Sequence, residues 1–186
     1  MNPKNIEILS TLITNTIPKW EDLPEIDLYM DQVIALMEKY LQNSNTPDTK
    51  LITSSMINNY VKLGIMPAPK KKKYSREHLA YLVIICSLKQ VMPISTIKEM
   101  IENKLKTNTI SELLDLYSKL YEITFQTIIK TCSESISSSI LNQNNLTDIS
   151  IFTAIAASNC VTISNLLFSK ENEENKFSNK KQNSSI

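Results

Sequence analysis

The chain contains a single glycine, Gly64, among its 186 residues. Gly-rich phosphate-binding loops and most tight hairpins need several glycines, because glycine adopts left-handed backbone conformations without steric cost. Apolar residues instead recur at spacings of three and four through most of the chain, as they do in amphipathic helices. We therefore predict an all-α protein in which long helices are joined by polar loops, with at most a tiny β ribbon near residues 66–74.

The residue types that usually carry catalysis or bind metals are scarce. The chain has one histidine, His78, and three scattered cysteines, Cys86, Cys132 and Cys160, with no CxxC pair. This composition argues against a zinc site, a redox dithiol and a disulfide framework, and it is typical of a reducing compartment. No phosphate loop or catalytic triad is recognisable. We expect a cytoplasmic protein that is not an enzyme, with no catalytic residue, no metal and no cofactor.

Two segments bear on membrane targeting. Residues 1–16 lack the basic start and the apolar core of a signal peptide. Residues 149–168 carry no charge, but seven of these twenty residues are Ser, Thr or Asn, so they indicate a helix buried in protein rather than one that spans a bilayer. We expect no membrane association. The polar residues 169–186 have the composition of a disordered tail.

Positive charge is concentrated in the middle of the chain. The protein as a whole has a net charge of +1. Residues 50–106 hold eleven Lys or Arg against three Glu, a net charge of +8, whereas residues 1–49 carry −5 and residues 107–186 carry −2. A basic segment within a nearly neutral protein is the expected footprint of a surface that binds a polyanion.

Periodicity and capping signals divide the chain into four segments. Helices are predicted at residues 5–17, 28–41, 54–63, 75–91, 93–106 and 110–141, with a last helix that opens at Asp148. Thr53 and Ser75 suit N-cap positions, and Gly64 suits the position just after a helix. We predict an N-terminal helix and Trp/Pro segment (1–27), a helix-turn-helix module (28–106), a helical dimerisation or effector region (107–168) and the disordered tail (169–186).

The helix predicted at residues 54–63 has a polar face that could read DNA. Asparagine can pair bidentately with adenine in the major groove, while serine and lysine can hold phosphates. Taken alone, such a face is equally well a solvated helix surface. Four consecutive lysines follow within a few residues, however, and could grip flanking phosphates. The polar face consists of Ser55, Asn58, Asn59 and Lys62, opposite Met56, Ile57, Tyr60, Val61 and Leu63. The candidate DNA-binding residues are Ser54, Ser55, Asn58, Asn59, Lys62, Lys70, Lys71, Lys72, Lys73, Tyr74 and Arg76.

Three motifs in this region resemble the DNA-binding module of the MerR family. Residues 53–67 read TSSMINNYVKLGIMP and are similar to that family's recognition helix and its exit. Residues 74–79 (YSREHL) resemble the opening of its next helix, and residues 93–100 (PISTIKEM) resemble its following short helix. The resemblance implies a winged helix-turn-helix module, duplex DNA as a partner, and a homodimer formed through the long helix that comes next.

The wider chain resembles an uncharacterised bacterial family called domain of unknown function 1836. The resemblance rests on WEDLP at residues 20–24 and IDLYMDQV at residues 26–33, followed by the module above. The family is described only as MerR-like, so it implies a fold and a class but no small-molecule effector. MerR proteins usually have an arginine where this chain has Asn58. That difference and the acidic N-terminal segment keep an alternative open, a protein-interaction module that retains the helix-turn-helix shape without binding DNA.

A few other residues have expected structural roles. Trp20, between acidic neighbours, is expected to pin an irregular segment onto the core. His78 is expected on a helix surface and Cys86 in the core. We also expect two copies of the chain to pair through the last two helices, because their apolar stripes exceed what one small bundle needs. These stripes include Phe125, Ile128, Ile155 and Leu166.

Overall fold

The structure is a computed structural model that describes residues 17–41 and 50–137, together with residues 151, 153, 155–157 and 160. Within those residues it is helical, with isolated β-bridges and no sheet. The predicted all-α class is therefore confirmed. A short 3-10 helix at Trp20–Asp22 is followed by five α-helices: α1 (Met30–Tyr40), α2 (Ser54–Lys62), α3 (Arg76–Leu88), α4 (Ile94–Leu105) and α5 (Ile110–Ser137).

The chain divides into two compact units, Glu7–Ile129 and a second unit made of Met1–Ile6 with Lys130–Ile186. The first contains the 3-10 helix, α1 to α4 and most of α5. In the second, the structure describes the end of α5 and the helical residues 151, 153, 155–157 and 160. The described part of the chain contains no helix with the length and hydropathy needed to cross a bilayer. The helix predicted at residues 5–17 and the tail predicted at 169–186 lie outside the described residues, as does most of the segment 149–168.

Helix α3 lies at the centre of the first unit because its sequence is apolar on nearly every side. Eight of its residues are buried, including Leu82 and Ile85, which are fully enclosed. Helix α1 packs against α2 and α3, and α4 packs against α3. Two amphipathic helices, α1 and α4, therefore share one apolar partner, and each turns its polar side away from it.

Helix α2 has the ends that its sequence predicts. The hydroxyl of Thr53 caps the N-terminus by accepting a hydrogen bond of 3.2 Å from a backbone N–H of the first turn. At the other end Gly64 adopts φ +67°, and its N–H donates to the carbonyl of Val61 while the N–H of Ile65 donates to that of Tyr60, both at 3.0 Å. This is a Schellman motif, and its left-handed position explains why the one glycine stands there.

The predicted β ribbon is reduced to two antiparallel bridges, Lys70 with Lys73 and Leu28 with Tyr74. The N–H of Leu28 donates to the carbonyl of Tyr74 at 2.9 Å, and the N–H of Tyr74 donates back at 2.8 Å. This pair ties the segment before α1 to the segment before α3. It also explains why the helix predicted at 28–41 begins at Met30 instead, because Leu28 is extended to make the bridge.

The N-terminal half of α5 is anchored to the segment around Trp20. The hydroxyl of Ser118 donates to the carbonyl of Ile17 at 2.9 Å, and Asp115 accepts the N–H of Trp20 at 2.8 Å. The ring of Trp20 packs against the core, which confirms its predicted role. Two contact points on one helix, a buried one at Ser118 and an exposed one at Asp115, therefore hold an irregular stretch of chain in place.

One expectation about a side chain of α3 is wrong. His78 is 5% exposed and does not lie on a helix surface, because α3 faces the core in almost every direction. Its Nδ1 accepts the backbone N–H of Ser75 at 3.0 Å, so the neutral ring carries its proton on Nε2. That nitrogen is buried and has no hydrogen-bond partner among the described residues.

Candidate nucleic-acid interface

The polar face of α2 points to solvent. Ile57 and Tyr60 are buried beneath it, so the helix is held by one side and presents the other. No side-chain hydrogen bond within the described part of the chain engages Asn58, Asn59 or Lys62, so their polar groups are available to a ligand. The exposed residues are Ser54, Ser55, Asn58, Asn59 and Lys62. Leu63, expected on the apolar side, is 44% exposed because it lies beyond the last helical residue.

The lysine run forms a tight two-residue turn. The N–H of Lys73 donates to the carbonyl of Lys70 at 2.9 Å, and the two central residues, Lys71 and Lys72, have φ of 50° and 62°. Two adjacent positive φ values are the signature of a type I′ turn, which normally takes Asn-Gly or Asp-Gly. A left-handed conformation costs a residue with a Cβ atom about 1–2 kcal/mol. The chain therefore presents two lysines at the tip of a turn that glycine would suit better.

The four lysines differ in how free they are. Lys70, Lys71 and Lys72 are exposed and form no ion pair within the described residues. Lys73 is half-buried, with its ammonium 5.2 Å from the centre of the Tyr29 ring. Tyr74 is 3% exposed, so its ring belongs to the core and is not available to a ligand on this surface. We refer to residues 70–73 as the lysine turn.

Arg76 is turned toward the protein. Its guanidinium lies 5.3 Å from the centre of the Trp20 ring, and one of its terminal nitrogens is 3.4 Å from the Glu25 carboxylate. The side chain is 20% exposed, and its Nε is buried without a hydrogen-bond partner in the described part of the chain. Lys73 and Arg76 lie on either side of Tyr74 in the sequence, and both are predicted to bind DNA. In the structure each contacts an aromatic ring of the segment before α1.

Two lysines that the sequence did not single out hold α2 in place. The ammonium of Lys98, on α4, donates to the carbonyl of Leu63 at 2.9 Å, which satisfies a carbonyl at the C-terminal end of α2. Lys89 donates to the carbonyl of Leu51, just ahead of α2. Its ammonium also lies 3.4 Å from the sulfur of Met56. Both contacts join residues more than thirty positions apart, so no local pattern indicates them.

Two ionisable side chains behind α2, Tyr60 and Cys86, are uncharged near neutral pH. Burial raises the pKa of Tyr60 to about 12, with a smaller contribution from Cys86. Burial likewise raises the pKa of the Cys86 thiol to about 11, which the nearby Lys89 ammonium partly opposes. These two side chains therefore add no negative charge behind the exposed lysines, which suits binding of an anion more than proton transfer.

Comparison with known proteins supplies one match. A family model described as Domain of unknown function (DUF1836) matches residues 18–124. The matched stretch contains the 3-10 helix, α1 to α4, the lysine turn and the first half of α5. No curated protein and no solved structure matched the chain.

Proposed function

The chain belongs to the family of the domain of unknown function 1836, whose model spans more than half of it, and we propose that it is a transcriptional regulator that binds duplex DNA as a homodimer. In this proposal α2 is the recognition helix of a MerR-like helix-turn-helix, and the lysine turn is a much shortened wing. The protein acts in the cytoplasm. The observation that carries the proposal is the exposed polar row on α2, followed along the chain by the lysine turn.

The chemistry of the α2 face supports base reading. An α-helix fits into the major groove of B-form DNA, where an asparagine amide can donate to and accept from one adenine edge. Asn58 and Asn59 are exposed, and Ser55 and Lys62, whose side-chain types commonly contact phosphates, are exposed on the same side of the helix. The helix is also fixed at both ends: Lys89 donates to the carbonyl of Leu51 at its start, and Lys98 donates to the carbonyl of Leu63 at its end. A rigid helix suits recognition, because less conformational freedom is lost on binding.

The lysine turn supports a phosphate-contacting role. Only residues 63–69 separate it from α2, so the two cannot be more than roughly 30 Å apart. Three exposed ammonium groups at one tip, which form no ion pair with the residues that the structure describes, would neutralise phosphates and release their counterions. The backbone strain at Lys71 and Lys72 also fits a functional surface, because strained conformations persist where a site requires them.

An apolar stripe on α5 supports the pairing of two copies. Leu116, Leu120 and Ile123 are 41%, 49% and 48% exposed, and their spacing of four and three places them on one side of the helix. Further along, Ile128 is 37% exposed. Exposed apolar residues in a row are typical of a surface covered by a partner. Twofold pairing through this stripe would present two α2 helices to DNA and favour palindromic half-sites.

The test removes the charge of the turn while keeping its shape. The variant Lys70→Gln/Lys71→Asn/Lys72→Gly retains residues that a type I′ turn accepts. We expect weaker binding to every duplex sequence and a salt dependence flattened by about 0.9 per lost phosphate contact. The matched control, Lys39→Gln/Lys106→Gln/Lys119→Gln, removes the same charge from exposed positions elsewhere and should bind like the parent chain. Competition between a preferred and a scrambled duplex at two salt concentrations measures both quantities. Equal binding by the two triple variants would contradict the proposal.

A protein partner is the alternative, and one observation favours it. Apolar side chains are exposed at the end of α2 and in the segment before α1: Leu63 is 44% exposed, Tyr29 52% and Ile26 70%. DNA-binding surfaces are polar and strongly basic, whereas interface cores are enriched in apolar and aromatic side chains. Binding of the parent chain to DNA that disappears at physiological salt, without sequence preference, would favour this alternative.

A further inference from the structure

The lysine turn brings four amino groups closer together than an extended run of lysines would. The hydrogen bond of 2.9 Å from the N–H of Lys73 to the carbonyl of Lys70 closes the turn, and such closure brings the first and last Cα atoms to within about 7 Å. In an extended chain the same atoms would be roughly 10 Å apart. Because the Debye length at physiological ionic strength is about 8 Å, the charge of each lysine acts on its neighbours in the turn.

The two central lysines of the turn are the accessible ones. Lys71 and Lys72 have positive φ, are exposed and form no ion pair within the described residues. Lys73, by contrast, is half-buried with its ammonium 5.2 Å from the centre of the Tyr29 ring. The tip of the turn therefore presents two free amino groups, with Lys70 as a further exposed cation beside them.

We propose that Lys71 and Lys72 are sites of acylation by acyl phosphates, activated carboxylic acids whose phosphate group is anionic. The neighbouring ammonium groups hold the phosphate, and the unprotonated amine of Lys71 or Lys72 attacks the acyl carbon, a reaction favoured by proximity. A C–N bond forms and the C–O bond to phosphate breaks, so inorganic phosphate leaves with the bonding electrons. The proton displaced from nitrogen passes to water or to the released phosphate. The product is an amide, and the modified lysine has lost its charge.

Electrostatic attraction distinguishes this reagent from an uncharged one. In water of low ionic strength, an ammonium group about 7 Å from a singly charged anion enriches that anion roughly threefold. Lys39 on α1 and Lys119 on α5 are exposed too and form no ion pair within the described residues, but no lysine or arginine stands next to either in the sequence. These two lysines are therefore internal controls with similar accessibility and less neighbouring charge.

The test treats the full chain, without DNA, with acetyl phosphate and separately with the N-hydroxysuccinimide ester of acetic acid, which is uncharged and reports accessibility alone. Mass spectrometry of peptides measures the rate at each lysine. The ratio of the acetyl phosphate rate to the ester rate should be at least about threefold higher at Lys71 and Lys72 than at Lys39 and Lys119, and the excess should disappear at about 1 M salt. Lys70→Gln should lower the ratio at the tip and leave the two control lysines unchanged. Equal ratios at all four lysines, or a ratio at the tip that Lys70→Gln does not alter, would overturn the proposal.

Acylation of the tip would also regulate the proposed DNA site, a consequence that rests on the proposed function. Acetyl phosphate should lower the affinity of the parent chain for any duplex, because each acylated lysine loses a phosphate contact. The variant Lys71→Arg/Lys72→Arg keeps both charges but has no amine to acylate, so its affinity should survive the same treatment. An equal loss of affinity in parent and variant would overturn the regulatory role of the tip. Selective acylation that leaves DNA affinity unchanged would uphold the modification and contradict the DNA site, whereas DNA binding without selective acylation would overturn only the modification.

Discussion

The guanidinium of Arg76 lies over the indole of Trp20, 5.3 Å from the ring centre. Arg76 is also within 3.4 Å of Glu25. An arginine that follows four lysines is a natural candidate for phosphate contact, yet its charge is already used within the protein. It joins the first turn of α3 to the segment before α1.

We expect Arg76→Ala to lower the free energy of unfolding by about 1–2 kcal/mol. The substitution removes a cation–π contact, a partly exposed ion pair and the packing of the aliphatic stem. Urea unfolding followed by circular dichroism measures it. Lys62→Ala, an exposed position without such contacts, should change stability by no more than about 0.5 kcal/mol. An Arg76→Ala protein as stable as the parent but defective in binding DNA would show that Arg76 contacts phosphate after all.

We expect Lys72→Gly to raise the free energy of unfolding while it lowers the affinity for DNA. Glycine removes the steric cost of φ 62°, although it also increases the entropy of the unfolded chain. The net gain in unfolding free energy should be about 0.5–1 kcal/mol, while affinity for any duplex falls with the lost charge. Lys70→Gly is the matched control, because Lys70 has no positive φ and gains nothing from glycine. Destabilisation by Lys72→Gly, measured as a lower urea midpoint, would show that the turn does not hold these φ values in solution.

We expect the α2 amides to govern sequence preference rather than overall affinity. Asn58→Ala or Asn59→Ala should cost roughly 1–3 kcal/mol at the preferred site and little on a scrambled duplex, if that amide reads a base edge. The two positions differ by about 100° around the helix, so one of them should dominate. Lys62→Ala should instead weaken both duplexes alike. If all three variants bind both duplexes like the parent, α2 does not enter the groove.

We expect the fold to lose stability as the pH rises above about 9. Burial raises the pKa of Cys86 to about 11 from 9.0 and that of Tyr60 to about 12 from 10.0, and it also raises the pKa of Tyr81 and Tyr117. The unfolded chain then releases protons that the folded chain retains, so the contribution is complete below about pH 9 and falls as pH rises toward the folded values. Urea midpoints between about pH 7 and 11 measure it.

A pair of variants tests which ionisable side chain causes the loss of stability at high pH. Cys86→Ala should be less stable at neutral pH but should shift the onset of the decline to higher pH, because the lowest of these titrations is gone. Tyr29→Phe, a change at a tyrosine that is 52% exposed, should reproduce the parent profile. A decline in Cys86→Ala that begins at the same pH as in the parent would assign the effect to other groups.

The sequence predicts those parts of the fold whose cause is local. The N-cap at Thr53 and the left-handed Gly64 follow from the chemistry of helix ends, and the apolar surroundings of α3 follow from its composition. The same composition was the available signal that His78 would be buried. A polar residue next to a lysine run suggests an exposed position. In a helix that is apolar on nearly every side, however, most positions are buried, and His78 is one of them.

The candidate site could be predicted less completely, because part of it depends on distant residues. The polar face of α2 and three exposed lysines follow from periodicity and charge. The inward turn of Arg76 depends on Trp20, which lies far away in sequence, and the support of α2 by Lys98 depends on how α4 packs. The conformation of Lys71 and Lys72 contradicts their own backbone preferences, so tertiary structure must impose it.

The two hydrogen bonds between Leu28 and Tyr74 also bear on proteolysis. Four consecutive lysines are a preferred substrate of trypsin, which requires its substrate in an extended conformation. A tight turn, with Tyr74 at its base held to Leu28 at 2.9 and 2.8 Å, cannot adopt that conformation without opening. Cleavage within residues 70–73 should therefore be slow in the native protein, and its rate should track the population of molecules in which this pair is open. The segment before α1, remote in sequence from the lysines, thereby controls their susceptibility to protease.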